Sequence, residues 1–145
     1  MPLTIRPLCP GDLPDFAARC FPELPPEDAE ERLRDDLAAE AAGEGITLVA
    51  AEDGRVGATA KLLRSGDIGW VFNVSAHPDF RGRGIVQRLL SDLAARARDM
   101  GLHRLAIDVR EDNPRARRAY EKAGLKCVGQ EGMRGAQLRY ERLVP

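Results

Sequence analysis

Apolar residues fall along this chain in two rhythms, every second position and every third or fourth, and the changes of rhythm mark out its elements. Leu3 to Arg6 reads as a short strand closed by Pro7 and Pro10, and Asp12 to Cys20 reads as a short helix. After Pro25 and Pro26, the residues Ala29, Leu33, Leu37 and Ala41 recur at intervals of four, an apolar stripe on an otherwise acidic helix that Gly43 and Gly45 end. Ile46 to Ala51 and Val56 to Leu63 are strand-like runs joined by Glu52-Asp53-Gly54-Arg55, where Asp-Gly favours a tight hairpin. Ser65-Gly66-Asp67 turns the chain into a third run, Ile68 to Ala76, so these three strands form an antiparallel meander. Trp70 and Phe72 alternate on the third as core residues would.

From Pro78 the period lengthens. Val86, Leu89, Leu90, Leu93, Ala97 and Met100 mark the inner face of a helix that Gly101 caps. Leu102 to Val109 alternates again, and Asn113 at N-cap with Pro114 at the first helical position announces a further helix, stopped by Gly124. Strand-like pieces at Leu125 to Val128 and Ala136 to Leu143 close the chain. Antiparallel strands first, then strand and helix in alternation, describe a mixed α/β sheet with helices on its faces.

At 145 residues the chain has the length of one domain with a substantial core, and neither internal repeat nor linker divides it. Charged residues make up 31% and apolar residues 43%, which excludes a disordered composition, and no run approaches the roughly 18 apolar residues of a membrane span. The first ten residues lack the apolar core of a secretory signal, so a cytoplasmic location is expected. Cys9, Cys20 and Cys127 are odd in number and widely spaced, which supports neither a disulfide framework nor a metal site. The net charge of −1 hides an asymmetry: the segment 23–44 carries −7 and the rest of the chain +6, a balance that favours a small polyanionic ligand there. With aromatics at 5% and the bases scattered, nucleic acid is the weaker reading of that positive charge.

The sharpest local signal is Arg81-Gly82-Arg83-Gly84-Ile85-Val86, between a strand and a long helix. Two glycines permit left-handed backbone and close approach, while a helix start offers unpaired N–H groups and the positive end of its dipole. A pyrophosphate has the size and charge for such a row of amides. An ordinary glycine turn before a helix explains the same letters. A dinucleotide fingerprint does not, since Gln87 stands where it needs a third glycine, nor does a phosphate loop, whose Gly-Lys-Ser/Thr is absent.

The stretch Val74-Ser75-Ala76-His77-Pro78-Asp79-Phe80-Arg81-Gly82-Arg83-Gly84-Ile85 resembles motif A of the GNAT superfamily of acyl-CoA-dependent N-acyltransferases. Asp108-Val109-Arg110-Glu111-Asp112-Asn113-Pro114-Arg115-Ala116, followed by Tyr120-Glu121-Lys122-Ala123-Gly124-Leu125, resembles its motif B. The resemblance spans about residues 68–128, with both motifs in the family's order. It implies one α/β domain over residues 1–145, α+β-like, with a central, mostly antiparallel sheet, helices on both faces and a parallel pair splayed at the cofactor site. It also implies acetyl-CoA as donor and no metal. The pyrophosphate would lie on the amides of Arg81, Gly82, Arg83, Gly84, Ile85 and Val86, with pantetheine along the backbone of Val74 and Ala76 and near Asn113. The partners implied are coenzyme A and an amine acceptor, small molecule or protein, with no nucleic acid or membrane; a homodimer stays open.

Three positions depart from the family pattern. Val86 stands where Gly or Ala is usual, putting a branched side chain beside the expected phosphates but leaving its N–H in place. Leu125 replaces a usual Phe, a packing change. Asp108 stands where the subgroup that acetylates protein N-termini, the nearest in character, often has Glu, so a shorter carboxylate must reach the amine.

Tyr120 matches the family tyrosine that protonates the departing thiolate, a sound assignment for a phenol of pKa about 10, although the core face of a helix accounts for it as well. Asp108 is the candidate base or base-water relay, or a solvated strand residue. The base needed depends on the acceptor: keeping an α-amine of pKa about 7.8 neutral at pH 7 costs about 1 kcal/mol, against about 4.6 kcal/mol for a lysine. Asn113 is explained first as a helix cap. His77 and His103 read as turn and surface residues; the acidic helix from Glu27 to Glu40 reads first as a solvated face, while the resemblance places it in the region that shapes the acceptor side, which would suit a cationic acceptor. No cysteine has a histidine partner at a spacing that would make it a nucleophile. The residues thus point to direct acetyl transfer from acetyl-CoA to a primary amine. The rivals are a non-catalytic acyl-CoA-binding module and a protein-interaction domain.

Overall fold

The computed structural model describes residues 2–131 and 137–145. Seven strands form one sheet in the order β1-β2-β3-β4-β5-β7-β6. β1 (Thr4–Pro7), β2 (Gly45–Glu52), β3 (Arg55–Ser65) and β4 (Ile68–Ala76) are successive antiparallel neighbours, as the short turns between β2, β3 and β4 require. β5 (Arg104–Arg110) joins β4 in parallel, and β7 (Gln137–Leu143) lies between β5 and β6 (Lys126–Glu131), antiparallel to both. The mixed, mostly antiparallel sheet is therefore as expected. Ala136, expected to open the last strand, lies outside the described residues.

Alternation along β2 builds two cores. Ile46, Leu48 and Ala50 join Ala58, Ala60 and Leu62 of β3 on one face, against Leu89, Leu90 and Leu93 of α3 (Ile85–Asp99) and Tyr120 of α4 (Pro114–Lys122). Val49 and Ala51 face the other way, toward Phe16, Cys20, Phe21 and Leu33, the last from α2 (Pro26–Ala41). The three α3 leucines are at most 1% exposed, and each such burial stabilises the fold by about 1.5–3 kcal/mol. Gly124 closes α4 as its letter predicts. It adopts φ +90°, so that its N–H reaches the Glu121 carbonyl and the Leu125 N–H reaches the Tyr120 carbonyl, each at 3.0 Å.

Two local expectations are corrected. The segment expected as one helix over Asp12 to Cys20 is a relay of three turns: a 3-10 turn (Pro10–Asp12), one α turn, α1 (Leu13–Asp15), and a π turn (Phe16–Cys20). Pro10 and Pro14 have no N–H to give a continuous helix. The wide last turn, closed by the Phe21 N–H on the Phe16 carbonyl at 3.1 Å, brings the two rings edge to face at 4.9 Å inside the second core. Trp70 and Phe72 are likewise not core residues. The opposite parity of β4 is buried, at Gly69 and Val71, while Phe72 is 44% exposed. Trp70 and Phe72 share the α2 side of the sheet, where α2 itself packs over β2, so no apolar layer closes over them.

Candidate active site

β4 and β5 pair only where Ile68–Trp70 faces Arg104–Ala106. Beyond that point β4 carries one residue more than β3: Thr59 faces Ser75 while Lys61 faces Phe72, and Asn73 turns left-handed at φ +55°. Such a bulge bends a strand away from its neighbour. The Ser75 hydroxyl donates to the Cys20 carbonyl and ties the bent end to the π turn. The result is a parallel pair that splays, with the stretch from Val71 to Ala76 leaving β5.

The α3 N-terminus faces this gap. Gly84 is its cap at φ +73°, and the first intrahelical bond runs from the Arg88 N–H to the Gly84 carbonyl at 3.1 Å. The N–H groups of Ile85, Val86 and Gln87 precede that bond and have no helical acceptor. A side chain on Gly82 would meet nothing within 4 Å, so the backbone there is open to close approach.

Every residue that the sequence reading assigns to the donor, Arg83 excepted, lines one cavity of about 460 Å³, and so does Tyr120. Arg83 pairs with Glu52, donates to the Asp79 carbonyl at 3.2 Å and lies 5.7 Å from the centre of the Phe80 ring, so its charge is spent on the β2 end. Arg81 donates from Nε to the Ala76 carbonyl at 3.0 Å. Val86, the departure from the family pattern, is half-buried and packs against the first core while lining the cavity. The cavity also draws on Gln87, Arg115, Arg118 and Lys122, which sequence reasoning missed. A signal was present: 115, 118 and 122 are three and four apart and share one face of the helix after Asn113. Asn113 is the cap expected of it, its side chain accepting from the Ala116 N–H at 3.2 Å, and it lines the cavity too.

Tyr120 stands 6% exposed, and burial pushes its phenol up to about 12, so it keeps its proton at neutral pH. Its ring meets Tyr140 edge to face at 6.3 Å. The Tyr140 hydroxyl donates to Glu121 at 3.0 Å and accepts from Arg117 at 3.2 Å. A second cavity, about 280 Å³ and set in the splay, shares Val74, Asn113 and Tyr120 with the first and adds Trp70, Phe72 and Asp108. Asp108 is therefore brought to Tyr120 across a common void, although its carboxylate is already held by Arg139, with 2.6 Å between Nε and Oδ1.

Among the described residues, none of the three free cysteines lines either cavity. Burial pushes the Cys20 thiol up to about 12. His77 caps the 3-10 turn Pro78–Phe80 by accepting from the Asp79 N–H at 3.1 Å, and His103 is exposed. Among the described residues no cluster of three metal-ligating side chains forms, and no helix is long and apolar enough to cross a membrane.

Comparison with solved structures defines the class first: the fold is that of N-acetyltransferases. The N-acetyltransferase of Staphylococcus aureus Mu50 matches over 100% of both chains with a TM-score of 0.85 at 18% identity. A GNAT superfamily phosphinothricin acetyltransferase from Sinorhizobium meliloti, solved with acetyl-CoA, matches over 99% of this chain and 89% of its own, with a TM-score of 0.82 at 20% identity. The ribosomal-protein-S18-alanine N-acetyltransferase of Escherichia coli matches over 99% and 94%, with a TM-score of 0.72 at 19% identity. The sequence then gives the family directly. Residues 12–125 match the acetyltransferase (GNAT) family, and this chain belongs to it.

Proposed function

We propose that this chain is one cytoplasmic acyltransferase domain that moves an acetyl group from acetyl-CoA directly to a primary amine. One observation carries the reading. Two cavities, one backed by a helix N-terminus and cationic side chains, the other holding a carboxylate, share Val74, Asn113 and Tyr120 as lining residues where β4 and β5 splay.

The residues present fit the donor. The open backbone at Gly82 and Gly84 and the leading amides of α3 would hold a pyrophosphate, with Arg81, Arg115, Arg118 and Lys122 adding positive charge around it. The β4 backbone from Val74 to Ala76, curved away from β5, offers a strand edge to the pantetheine arm and N–H groups to the thioester oxygen. Bound acetyl-CoA supplies the activated thioester. Asp108, directly or through a water, takes the proton the amine sheds as its nitrogen bonds to the carbonyl carbon. Tyr120 gives its proton to the sulfur as the carbon–sulfur bond breaks. No enzyme nucleophile is needed.

The test is thiol release from acetyl-CoA across a panel of primary amines, with the acetylated amine identified by mass. Amine-dependent release is expected. Tight acetyl-CoA binding with no release from any amine would replace this reading by a non-catalytic binding module, and absence of binding by an interaction domain.

A further inference from the structure

The second cavity has two charged wall residues, Asp108 and Arg110, and each is closed by a counter-charge of its own. Arg110 makes two bonds to Asp112, at 3.0 and 3.1 Å. Asp108 is held by Arg139 from the neighbouring strand, firmly at Oδ1 (2.6 Å) and loosely at Oδ2 (3.4 Å). The Arg139 guanidinium in turn lies 4.5 Å from the centre of the Trp70 ring, a cation stacked on an aromatic face. Further along the same face, Arg104 pairs with Glu141 at 3.1 Å. The charges on this side of β5 and β7 thus form closed pairs. Phe72, 44% exposed, adds an apolar surface beside them.

We propose that Arg139 sets the acceptor class: by neutralising Asp108 and fixing it against Trp70, it makes the second cavity a receiver for an amine of single charge on an apolar body, and a poor one for polycations. The inference deepens the acetyl-transfer reading and rests on it for the identity of the cavity. Oδ1 is held by Arg139 at 2.6 Å, and the longer 3.4 Å contact leaves Oδ2 the more available acceptor, enough for one ammonium or amine. A polyamine entering the same cavity would bring further positive charge toward Arg110 and Arg139, with no second carboxylate among the described residues of the cavity wall to receive it. The apolar body of a monoamine has Phe72 and Trp70 to lie on. Arg139 is therefore a positioning residue, acting through Asp108.

Trp70 is the chain's single tryptophan, so its fluorescence reports on this cavity whether or not turnover occurs. The probes are 2-phenylethylamine and spermidine, titrated against Trp70 emission and assayed for thiol release with acetyl-CoA. The intact chain is expected to prefer 2-phenylethylamine at least tenfold in both measurements. Arg139→Met exposes the charge of Asp108 and is expected to lower that preference at least fivefold by tightening spermidine. Arg139→Lys, which keeps the charge and gives up the two-pronged geometry, is expected to stay near the parent value and covers the case of a Met variant that fails to fold. In an Asp108→Asn background, Arg139→Met should no longer change the preference.

Preference for spermidine in the intact chain would overturn the inference. So would an unchanged preference in folded Arg139→Met, or an equal change with and without the Asp108 carboxylate. Amine binding with the expected preferences but no thiol release would uphold the inference and sink acetyl transfer. If 2-phenylethylamine neither perturbs Trp70 emission nor is acetylated, the inference is overturned.

Discussion

Asp36 of α2 and Lys61 of β3 meet beneath the helix with 2.6 Å between Oδ1 and Nζ, their side chains 1% and 13% exposed. The acidic helix is a solvated face along most of its length, but this one carboxylate turns inward onto the only lysine of the meander. Removing one partner of a buried pair strands the other charge, which typically costs about 3–5 kcal/mol. Asp36→Ala is expected to lose that much in urea unfolding with an unchanged slope, and Asp36→Leu combined with Lys61→Met to regain most of it. Parent-like stability of Asp36→Ala would show that the pair contributes little.

The same helix marks where the sequence stops being legible. Its apolar stripe at intervals of four is visible in the letters, and so are the two glycine-capped helices and the turns of the meander, because those signals are local. Helical spacing puts Asp36, three residues after Leu33 and seven after Ala29, on the apolar stripe and leaves Asp35 off it, but the distant Lys61 that receives the carboxylate is not written in the local letters. The site divides in the same way. Gly84, Asn113 and Tyr120 are legible because they belong to contiguous motifs, whereas the pairing of Asp108 with Arg139 spans 31 residues and depends on the register of β5 against β7. Period-two alternation sets Trp70 and Val71 on opposite faces of β4 but does not say which face a helix covers, so the exposure of the Trp70 side is not legible in the letters.

Gly84 joins backbone conformation to donor binding. At φ +73° a β-branched side chain is strongly disfavoured, and a Cβ there would stand 3.4 Å from Gln87 Oε1, at the mouth of the donor cavity. Gly84→Val is expected to lose about 1–2 kcal/mol of stability from the left-handed backbone. It should also bind acetyl-CoA at least tenfold more weakly by calorimetry at a temperature where the variant remains folded. Unchanged affinity in the folded variant would remove this segment from the donor site.

Asp12 ties the start of the chain to its first turn. Arg6 bonds both of its oxygens at 2.8 Å, and the Cys9 N–H adds a third bond at 2.8 Å. The Arg6 bond comes first among the influences that hold its carboxyl below the usual 3.8, with the Cys9 N–H acting the same way against burial. Asp15 is lowered likewise, chiefly by Arg55. A carboxyl whose folded pKa lies below its unfolded value contributes stability that is complete above the unfolded value and is lost as pH falls through the folded one. Stability is therefore expected to hold down to about pH 4 and to fall steeply below it. Asp12→Asn should be less stable at neutral pH and show a shallower fall in thermal melts between pH 5 and 2. An acid limb as steep as the parent's would assign it to other carboxylates.

Tyr120→Phe separates the two readings of the tyrosine, because it keeps the ring against Tyr140 and deletes one hydroxyl. If Tyr120 serves only as core, the variant folds, binds acetyl-CoA and turns over as the parent does. If it protonates the departing sulfur, its loss costs what a general acid contributes, typically 10²–10⁴-fold in rate or about 3–5 kcal/mol, while donor affinity changes little. The comparison holds only where chemistry limits the rate, so the measurement is single-turnover thiol release at saturating amine. The position of the pH limb adds a second reading. With the phenol at about 12, the parent loses no activity to tyrosine ionisation through the neutral range, so any loss of rate between pH 6 and 9 must come from the acceptor side. The variant is therefore expected to be slower by a constant factor across that range. A near-parental single-turnover rate would move the proton donor to water and leave Tyr120 as the wall between the two cavities.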